Sequence, residues 1–204
     1  MNLAGELPDK QGLALFDFDG TITSRDSFLY FLFFSQPFWR FCFCSLILSP
    51  VVLGYWLRLL NNNTAKQLVL RVVFGGCSPE EFRSTAQSFA EERLPALVRP
   101  EAAERIEWHR HLGHRIIVVS ASLEDYLRPW CEKQQLELIG SRMAVADGVM
   151  TGRLEGRNCY GPEKVRRIRE VVELSNYDIT FAYGDSRGDR EMLELADTRC
   201  YRRF

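Results

Sequence analysis

The chain has 204 residues and a nearly even charge, with 26 Lys and Arg against 27 Asp and Glu and a formal net charge of -1 at pH 7. Basic residues are spread along the chain instead of clustered, so we expect no nucleic-acid partner. A chain of this length buries roughly 70% of the surface that its unfolded form exposes, so it needs no disulfide or structural metal to fold. The six cysteines lack CxxC or zinc-ligand spacing, which is typical of small buried side chains in a reducing compartment.

The first element is a buried strand. Residues 1–11 form a polar tail without a basic region followed by an apolar core, so we expect no secretory signal and a cytoplasmic location. The apolar run that follows predicts a strand over residues 12–18 that delivers Asp17 and Asp19 to the carboxyl edge of a parallel sheet. These acids could be an ordinary turn and helix cap. They could also be paired carboxylates, one a nucleophile or metal ligand and the other a proton donor.

An apolar segment follows the first strand, with no charged residue between Arg40 and Arg58. Its length is at the lower limit for a membrane-spanning helix. A single crossing would separate Asp17 from everything after Arg58, so we do not expect the segment to span. Two interpretations remain open: buried helices of a compact cap, or a peripheral membrane contact through residues 28–57 that can also receive an apolar substrate tail.

The next residues continue the helical pattern. Residues 64–94 read as helices, with Ser78-Pro79 as a strong helix start, and a further helix is expected over residues 101–111. The predicted fold class is therefore an α/β Rossmann-like parallel sheet core, residues 12–26 and 96–204, with an all-helical cap, residues 27–95, inserted after the first strand.

The second strand is expected over residues 115–120 and ends in Ser120. Ser122 is expected to cap the following helix together with Asp125. Ser120 is either a plain loop serine or part of an anion site at a helix N-terminus. A serine hydrolase is disfavoured, because the chain lacks Gly-x-Ser-x-Gly and has no histidine after the third strand.

Three histidines precede the second strand, namely His109, His111 and His114. Gly113 breaks their helical spacing. We therefore interpret them as charges at a helix end that suit the helix dipole, with a metal cluster as the alternative.

The last third supplies further polar groups at strand ends. A hairpin is expected around Asp147-Gly148, and a later helix carries Lys164 in its first turn, where a cation is unfavourable for the dipole unless an anion is near. A strand over residues 179–183 then leads to Asp185 and Asp189. Four aspartates would converge with a hydroxyl and a lysine, and hard oxygen ligands in this number suit Mg²⁺.

In this order, Asp17-x-Asp19-Gly20-Thr21, Ser120, Lys164 and Asp185-x-x-x-Asp189 resemble the motifs of the haloacid-dehalogenase-like phosphatase superfamily. The helical insert resembles that of its phosphoserine-phosphatase-like branch, subfamily IB. The resemblance implies a Mg²⁺-dependent phosphomonoester hydrolase that works through an aspartyl-phosphate.

The resemblance also implies a role for each residue. Asp17 would be the nucleophile, and Asp19 would protonate the leaving oxygen, activate water and offer its backbone carbonyl to Mg²⁺. The phosphoryl group would be held by Thr21, Ser120 and Lys164. Mg²⁺ would be ligated by Asp17, Asp19 and Asp185, with Asp189 as a ligand or an orienting acid.

The substrate is less defined. Asp26 lies near the place where phosphoserine phosphatases use an acid to bind the substrate amine, but the insert is more apolar than a small amino acid requires. Residues 35–37, 74–77 and 185–187 look similar to bacterial phosphatidylglycerophosphatase C. We therefore expect an amphipathic or lipid-linked phosphomonoester. The alternatives are a small soluble phosphomonoester such as phosphoserine, and a membrane-surface binding module without turnover.

Overall fold

The computed structural model describes residues 11–204, so the predicted tail, apart from Gln11, lies outside the described residues. Its centre is a five-stranded sheet in the order β3-β2-β1-β6-β7, with every neighbouring pair parallel. A separate antiparallel hairpin is formed by β4 and β5. The strands are β1 (Gly12–Phe16), β2 (Arg115–Leu123), β3 (Glu137–Ser141), β4 (Met143–Ala146), β5 (Val149–Leu154), β6 (Ile179–Gly184) and β7 (Thr198–Tyr201).

Within residues 11–204, eight α-helices surround the sheet or form the insert. They are α1 (Ser27–Phe34), α2 (Phe38–Trp56), α3 (Asn62–Phe74), α4 (Pro79–Glu92), α5 (Pro100–His111), α6 (Glu124–Lys133), α7 (Pro162–Val171) and α8 (Arg190–Glu194). The parallel sheet with helices around it confirms the predicted α/β core.

The central strand explains why the first motif is fixed. All five residues of β1 are buried, and β1 pairs with β2 on one side and β6 on the other. The carboxyl ends of the three strands therefore meet at one edge, which is where open α/β sheets place their ligands.

The end of β2 differs from the sequence expectation. The strand continues to Leu123 instead of stopping at Ser120. Leu123 occupies the N-cap of α6 and no side chain caps that helix, so the predicted cap by Ser122 and Asp125 is wrong. The Ser122 hydroxyl instead donates to the carboxylate of Asp19.

Helices α1 to α4 share a core with the sheet. Phe31 of α1 is fully buried and contacts the rings of Phe74, Phe82, Phe89 and Tyr126. One apolar cluster thus extends from these helices to residues of the sheet and α6. We propose residues 27–95 as the cap of this fold. Apolar packing joins this cap to the core.

The β4–β5 hairpin holds the far end of α3. The Gly76 amide donates to the Met150 carbonyl at 2.8 Å, and the Met150 amide donates to the Cys77 carbonyl at 2.9 Å. Gly152, with φ of +68°, lies so close to α3 that a Cβ there would be 2.3 Å from the Arg71 Cα. Two backbone hydrogen bonds and this close approach therefore hold the hairpin against α3.

His109 does not contribute a charge to the end of α5. His109 is fully buried and shares a hydrogen bond of 2.8 Å with His114, between their Nδ1 atoms, and one of 2.9 Å with the Tyr183 hydroxyl. Burial lowers the pKa of His109 to about 3, so this ring is neutral near pH 7. The prediction of dipole-stabilising charges is therefore wrong for His109.

Candidate active site

The loop after β1 places Asp17 at the edge of the sheet. The Asp17 amide donates to the Tyr183 carbonyl of β6 at 2.9 Å, which continues the strand pairing by one residue. Gly20 has φ of +83°, and a Cβ there would lie 2.4 Å from Oδ2 of Asp185. Glycine is therefore required for the first loop to approach the loop after β6.

Lys164 lies at the centre of the acidic cluster. Its Nζ donates to Oδ1 of Asp17 at 2.6 Å, to Oδ1 of Asp189 at 2.7 Å and to the Val119 carbonyl at 2.7 Å. The side chain is 1% exposed. All three ammonium donors are thus used, which explains a lysine in the first turn of α7.

Lys164, Asp17 and Asp189 shift one another's pKa values. Burial lowers the pKa of Lys164, but the carboxylates of Asp17 and Asp189 outweigh it and the pKa is raised overall. Burial raises the pKa of Asp17, and Lys164 opposes that shift. For Asp189 the lysine and the Ser186 hydrogen bonds overcome burial, so its pKa is lowered.

Asp19 points away from this cluster and toward the cap. Its Oδ1 accepts from the Ser27 amide at 2.6 Å, and its Oδ2 accepts from the Ser122 hydroxyl. Burial and the nearby Asp26 raise its pKa, while the two serine hydrogen bonds oppose the shift. A carboxyl group that keeps its proton more readily than usual is suited to protonate a leaving group.

Three carboxylates form a set that can hold a cation. Asp17, Asp185 and Asp189 each offer an oxygen, and these oxygens lie within 4.8 Å of one another. Oδ1 of Asp185 is buried and has no hydrogen-bond partner among residues 11–204. Both oxygens of Asp189 are already engaged, by Lys164 and by Ser186. The donor set fits Mg²⁺, with Asp185 the carboxylate most in need of a ligand and Asp189 fitting the orienting role.

The remaining predicted residues are placed as follows. Ser120 is 1% exposed, lines the cavity and accepts from the Ser122 amide at 3.0 Å. Thr21 is buried, is not among the cavity-lining residues, and its Oγ1 lacks a partner among the described residues. Asp26 is exposed and lines the cavity. Its side chain caps α1 by accepting from the Leu29 amide at 3.0 Å, so it has a structural role as well.

These groups surround a cavity of about 560 Å³. The sheet edge supplies its polar floor. Its apolar wall comes from the cap, from Phe28, Val51, Val52, Tyr55 and Val69.

Lys66 of α3 was not identified from the sequence. It lines the cavity, and its Nζ donates to the Ala121 carbonyl and lies 4.9 Å from the centre of the Phe28 ring. Burial lowers its pKa to about 8, although Asp19 and Asp26 oppose the shift. No carboxylate of residues 11–204 forms an ion pair with it, so it is a cation available to a substrate.

Comparison with known proteins agrees with this geometry. The family model described as haloacid dehalogenase-like hydrolase matches residues 14–194. Protein CicA of Caulobacter vibrioides is 36% identical over 99% of this chain and 90% of its own length. A probable phosphatase of Mycobacterium tuberculosis is 31% identical over 93% of this chain and 68% of its own.

A solved structure has the same fold. It is a phosphoserine phosphatase determined as a phospho-aspartyl intermediate analogue, with a TM-score of 0.65 and 20% identity over 92% of this chain and 84% of that one. The chain belongs to the haloacid dehalogenase-like hydrolase family. It is a phosphatase of that family, as the motifs predicted.

Proposed function

We propose that this phosphatase hydrolyses an amphipathic, lipid-linked phosphomonoester of the phosphatidylglycerophosphate type, with Mg²⁺, at the cytoplasmic face of the membrane. One observation carries the proposal: the cavity joins the Asp17 carboxylate to an apolar wall that includes Val51 and Val52 of α2. A substrate with a phosphate at one end and apolar groups at the other matches both parts. Residues 28–57 would then be the peripheral contact with the membrane.

The chain's own residues account for the chemistry in two steps. Asp17 attacks phosphorus, the bond between phosphorus and the ester oxygen breaks, and Asp19 gives its proton to that oxygen. An alcohol leaves and an aspartyl-phosphate remains. Asp19, now a carboxylate, takes a proton from water, the resulting hydroxide attacks phosphorus, and the bond to Asp17 breaks to release phosphate.

Other groups stabilise charge during these steps. Lys164 would offset the charge of the phosphoryl oxygens while it keeps Asp17 in place, and Ser120, which lines the cavity, would donate a hydrogen bond to them. Mg²⁺, when held by Asp17, Asp185 and the Asp19 backbone carbonyl, would neutralise further phosphoryl charge.

Hydrolysis of phosphoserine is the second candidate. The fold shared with a phosphoserine phosphatase and the place of Asp26 in the cavity wall favour it. The apolar wall argues against it, because a free amino acid offers nothing to cover Phe28, Val51 or Val69. A binding module without turnover would not need Lys164 buried between two carboxylates, an arrangement that is costly to maintain.

The test measures phosphate release from phosphatidylglycerophosphate, phosphatidic acid, phosphoserine and glycerol 3-phosphate, with Mg²⁺ or with chelator. We expect Mg²⁺-dependent release from the lipids and loss of more than about 10³-fold in Asp17→Asn. Asp147→Asn, in the exposed hairpin turn, is the control. Preference for phosphoserine would support the second candidate, and no release by the folded protein would support the binding module.

A further inference from the structure

The outer face of α2 is apolar and uncovered. Trp39, Leu46 and Trp56 have 70%, 73% and 76% of their surface exposed. Of the residues that the structure describes, those of α2 form one helix long and apolar enough to cross a membrane, judged by length and composition, and only 11% of its 18-residue apolar stretch is buried. An exposed apolar surface of this extent marks an interaction site.

The surface is positively charged around its apolar centre. Residues 27–79 contain no Asp or Glu in a chain whose net charge is -1, and the exposed Arg40 and Arg58 lie near the two ends of α2. An apolar face with a basic border is complementary to an anionic lipid leaflet, because the border pairs with headgroups while the centre enters the acyl region. Tryptophan at each end of α2 has the amphipathic character of interfacial anchors.

The same helix forms one lip of the cavity. The exposed lining residues include Val52 and Tyr55 of α2, together with Arg25 and Tyr160. Elsewhere the cap is fastened to the core: Nδ2 of Asn158 donates to Oδ1 of Asn62 at 2.6 Å, and Lys66 donates to the Ala121 carbonyl. A substrate therefore has its open path beside α2.

Helix α2 is also attached along its inner side. Cys44 and Leu48 are buried against the rest of the cap, and α3, which follows α2 after five connecting residues, is bonded to the core through Asn62. Crossing a bilayer would require α2 to leave these contacts. An orientation parallel to the membrane surface keeps them.

We propose that α2 lies in the plane of an anionic leaflet, with its outer face at the boundary between headgroups and acyl chains. The cavity mouth is then at headgroup level, and a phosphomonoester lipid moves from the leaflet along Val52 and Tyr55 to Asp17 without leaving the membrane. The lipid path depends on the proposed function. The membrane surface itself does not, because it is independent of turnover.

The experiment measures co-sedimentation of the full chain with vesicles of phosphatidylcholine alone or mixed with phosphatidylserine, neither of which is a phosphomonoester. We expect binding to the mixed vesicles that falls at high salt and is at least about tenfold weaker in Trp39→Gln/Trp56→Gln. Arg58→Gln should weaken binding to mixed vesicles only. Control variants are Val171→Gln, an apolar residue with 52% of its surface exposed and remote from α2, and Arg153→Gln, also exposed.

Each outcome decides the proposal. Equal vesicle binding by the tryptophan variant and wild type, or no binding by wild type, would refute the proposal that the outer face of α2 binds the membrane. Retention at high salt together with resistance to alkaline extraction would overturn the in-plane orientation and indicate a spanning helix. A dimer in lipid-free sedimentation that dissociates in the tryptophan variant would assign the face to a second copy of the chain.

Activity separates this inference from the proposed function. The tryptophan variant should hydrolyse soluble p-nitrophenyl phosphate at the wild-type rate and lose activity on vesicle-borne substrate. If wild type binds vesicles but releases no phosphate from lipids, the proposed substrate is refuted. The proposal that α2 binds the membrane surface is then retained.

Discussion

Ser122 donates its hydroxyl to Oδ2 of Asp19, which connects the end of β2 to the loop after β1. The other Asp19 oxygen accepts from the Ser27 amide at the start of the cap. The carboxyl group that would transfer the proton is therefore held by both the core and the cap. Its position and its pKa depend on contacts from both parts.

Removing the Ser122 hydroxyl should change the pH dependence of turnover. Burial raises the pKa of Asp19 and the Ser122 hydrogen bond opposes that rise, so Ser122→Ala should raise the pKa further. The first step needs protonated Asp19, and kcat/KM should decline as pH rises through that pKa. The alkaline limb should therefore move to higher pH, by about one pH unit for one hydrogen bond to a carboxylate.

The measurement is kcat/KM against pH with an alkyl phosphate, whose leaving group needs a proton. Ser175→Ala, whose hydroxyl contacts only Glu173 at the surface, is the matched control. A limb that stays in place in Ser122→Ala, with activity retained, would mean that another group supplies the proton.

Mg²⁺ should stabilise the fold through Asp185. The unpartnered Oδ1 of Asp185 and the raised pKa of this carboxyl, caused by burial and by Asp189, are both relieved by a divalent cation. We expect millimolar Mg²⁺ to raise Tm by several degrees, since binding to the native state alone is stabilising. Asp185→Asn should abolish that shift and should itself raise Tm in chelator, because repulsion with Asp189 is removed.

Thermal unfolding with and without chelator checks this without any assay of turnover. Asp147→Asn serves as the control and should keep the full Mg²⁺ response. A response that persists in Asp185→Asn would place the cation elsewhere.

The sequence predicted the parts of the structure that a local pattern determines. The run over residues 12–18 gave the central strand, the Ser78-Pro79 pair gave the start of α4, and Asp147-Gly148 gave the hairpin turn. Its motifs also named Asp17, Ser120, Lys164 and Asp185, which the structure brings together in the lining of one cavity, because each lies at or near the same edge of the sheet.

What the sequence did not reveal depends on contacts between distant residues. Ser122 fits a helix cap by spacing, but β2 continues past it because β3 pairs with Leu123 through Ser141. Lys66 lies on an unremarkable amphipathic helix, and only the packing of α3 over β2 brings its Nζ to Ala121. His109 has a lowered pKa because the folded chain buries it, against partners that include Tyr183, 74 residues away in sequence.

Lys66 should affect substrate binding more than the chemical steps. It lies in the cavity without an ion-pair partner among the described residues, and Asp19 and Asp26 are the acids that influence its pKa. Lys66→Met should raise KM by about tenfold for an anionic substrate, the value of one charge-assisted hydrogen bond, with a small change in kcat. The measurement is steady-state kinetics at pH 7, where a pKa of about 8 leaves the lysine mostly charged.

Two variants make this test specific. Lys66→Arg should restore KM at least in part, which a purely structural role would not predict. Arg71→Gln removes an exposed cation from the same helix outside the cavity and should leave KM unchanged. An effect of Lys66→Met on kcat alone would assign the lysine to the transition state instead.

Lys164 should be required for stability as well as for turnover. The sequence motif suggests mainly a loss of activity in a lysine variant, but Nζ lies between two buried carboxylates. In Lys164→Met, Asp17 and Asp189 would remain close together without a cation. Breaking a buried ion pair from one side costs about 3–5 kcal/mol, so we expect a loss of that order at pH 8 in chelator.

The pH dependence of this loss distinguishes charge repulsion from a simple packing defect. In wild type, the lowered pKa of Asp189 contributes stability that is lost only as pH falls through and below its unfolded value, and the raised pKa of Asp17, about 7, adds some stability as pH falls from 8 to 5. In Lys164→Met, the folded pKa values of both carboxyls rise above their unfolded values, so protonation on acidification relieves repulsion. The stability gap between variant and wild type in urea unfolding should therefore narrow from pH 8 to pH 5. Lys133→Met, on the exposed end of α6, is the control and should have the stability of wild type at both pH values. If the stability difference between Lys164→Met and wild type does not change with pH, lost packing and not repulsion is the cause.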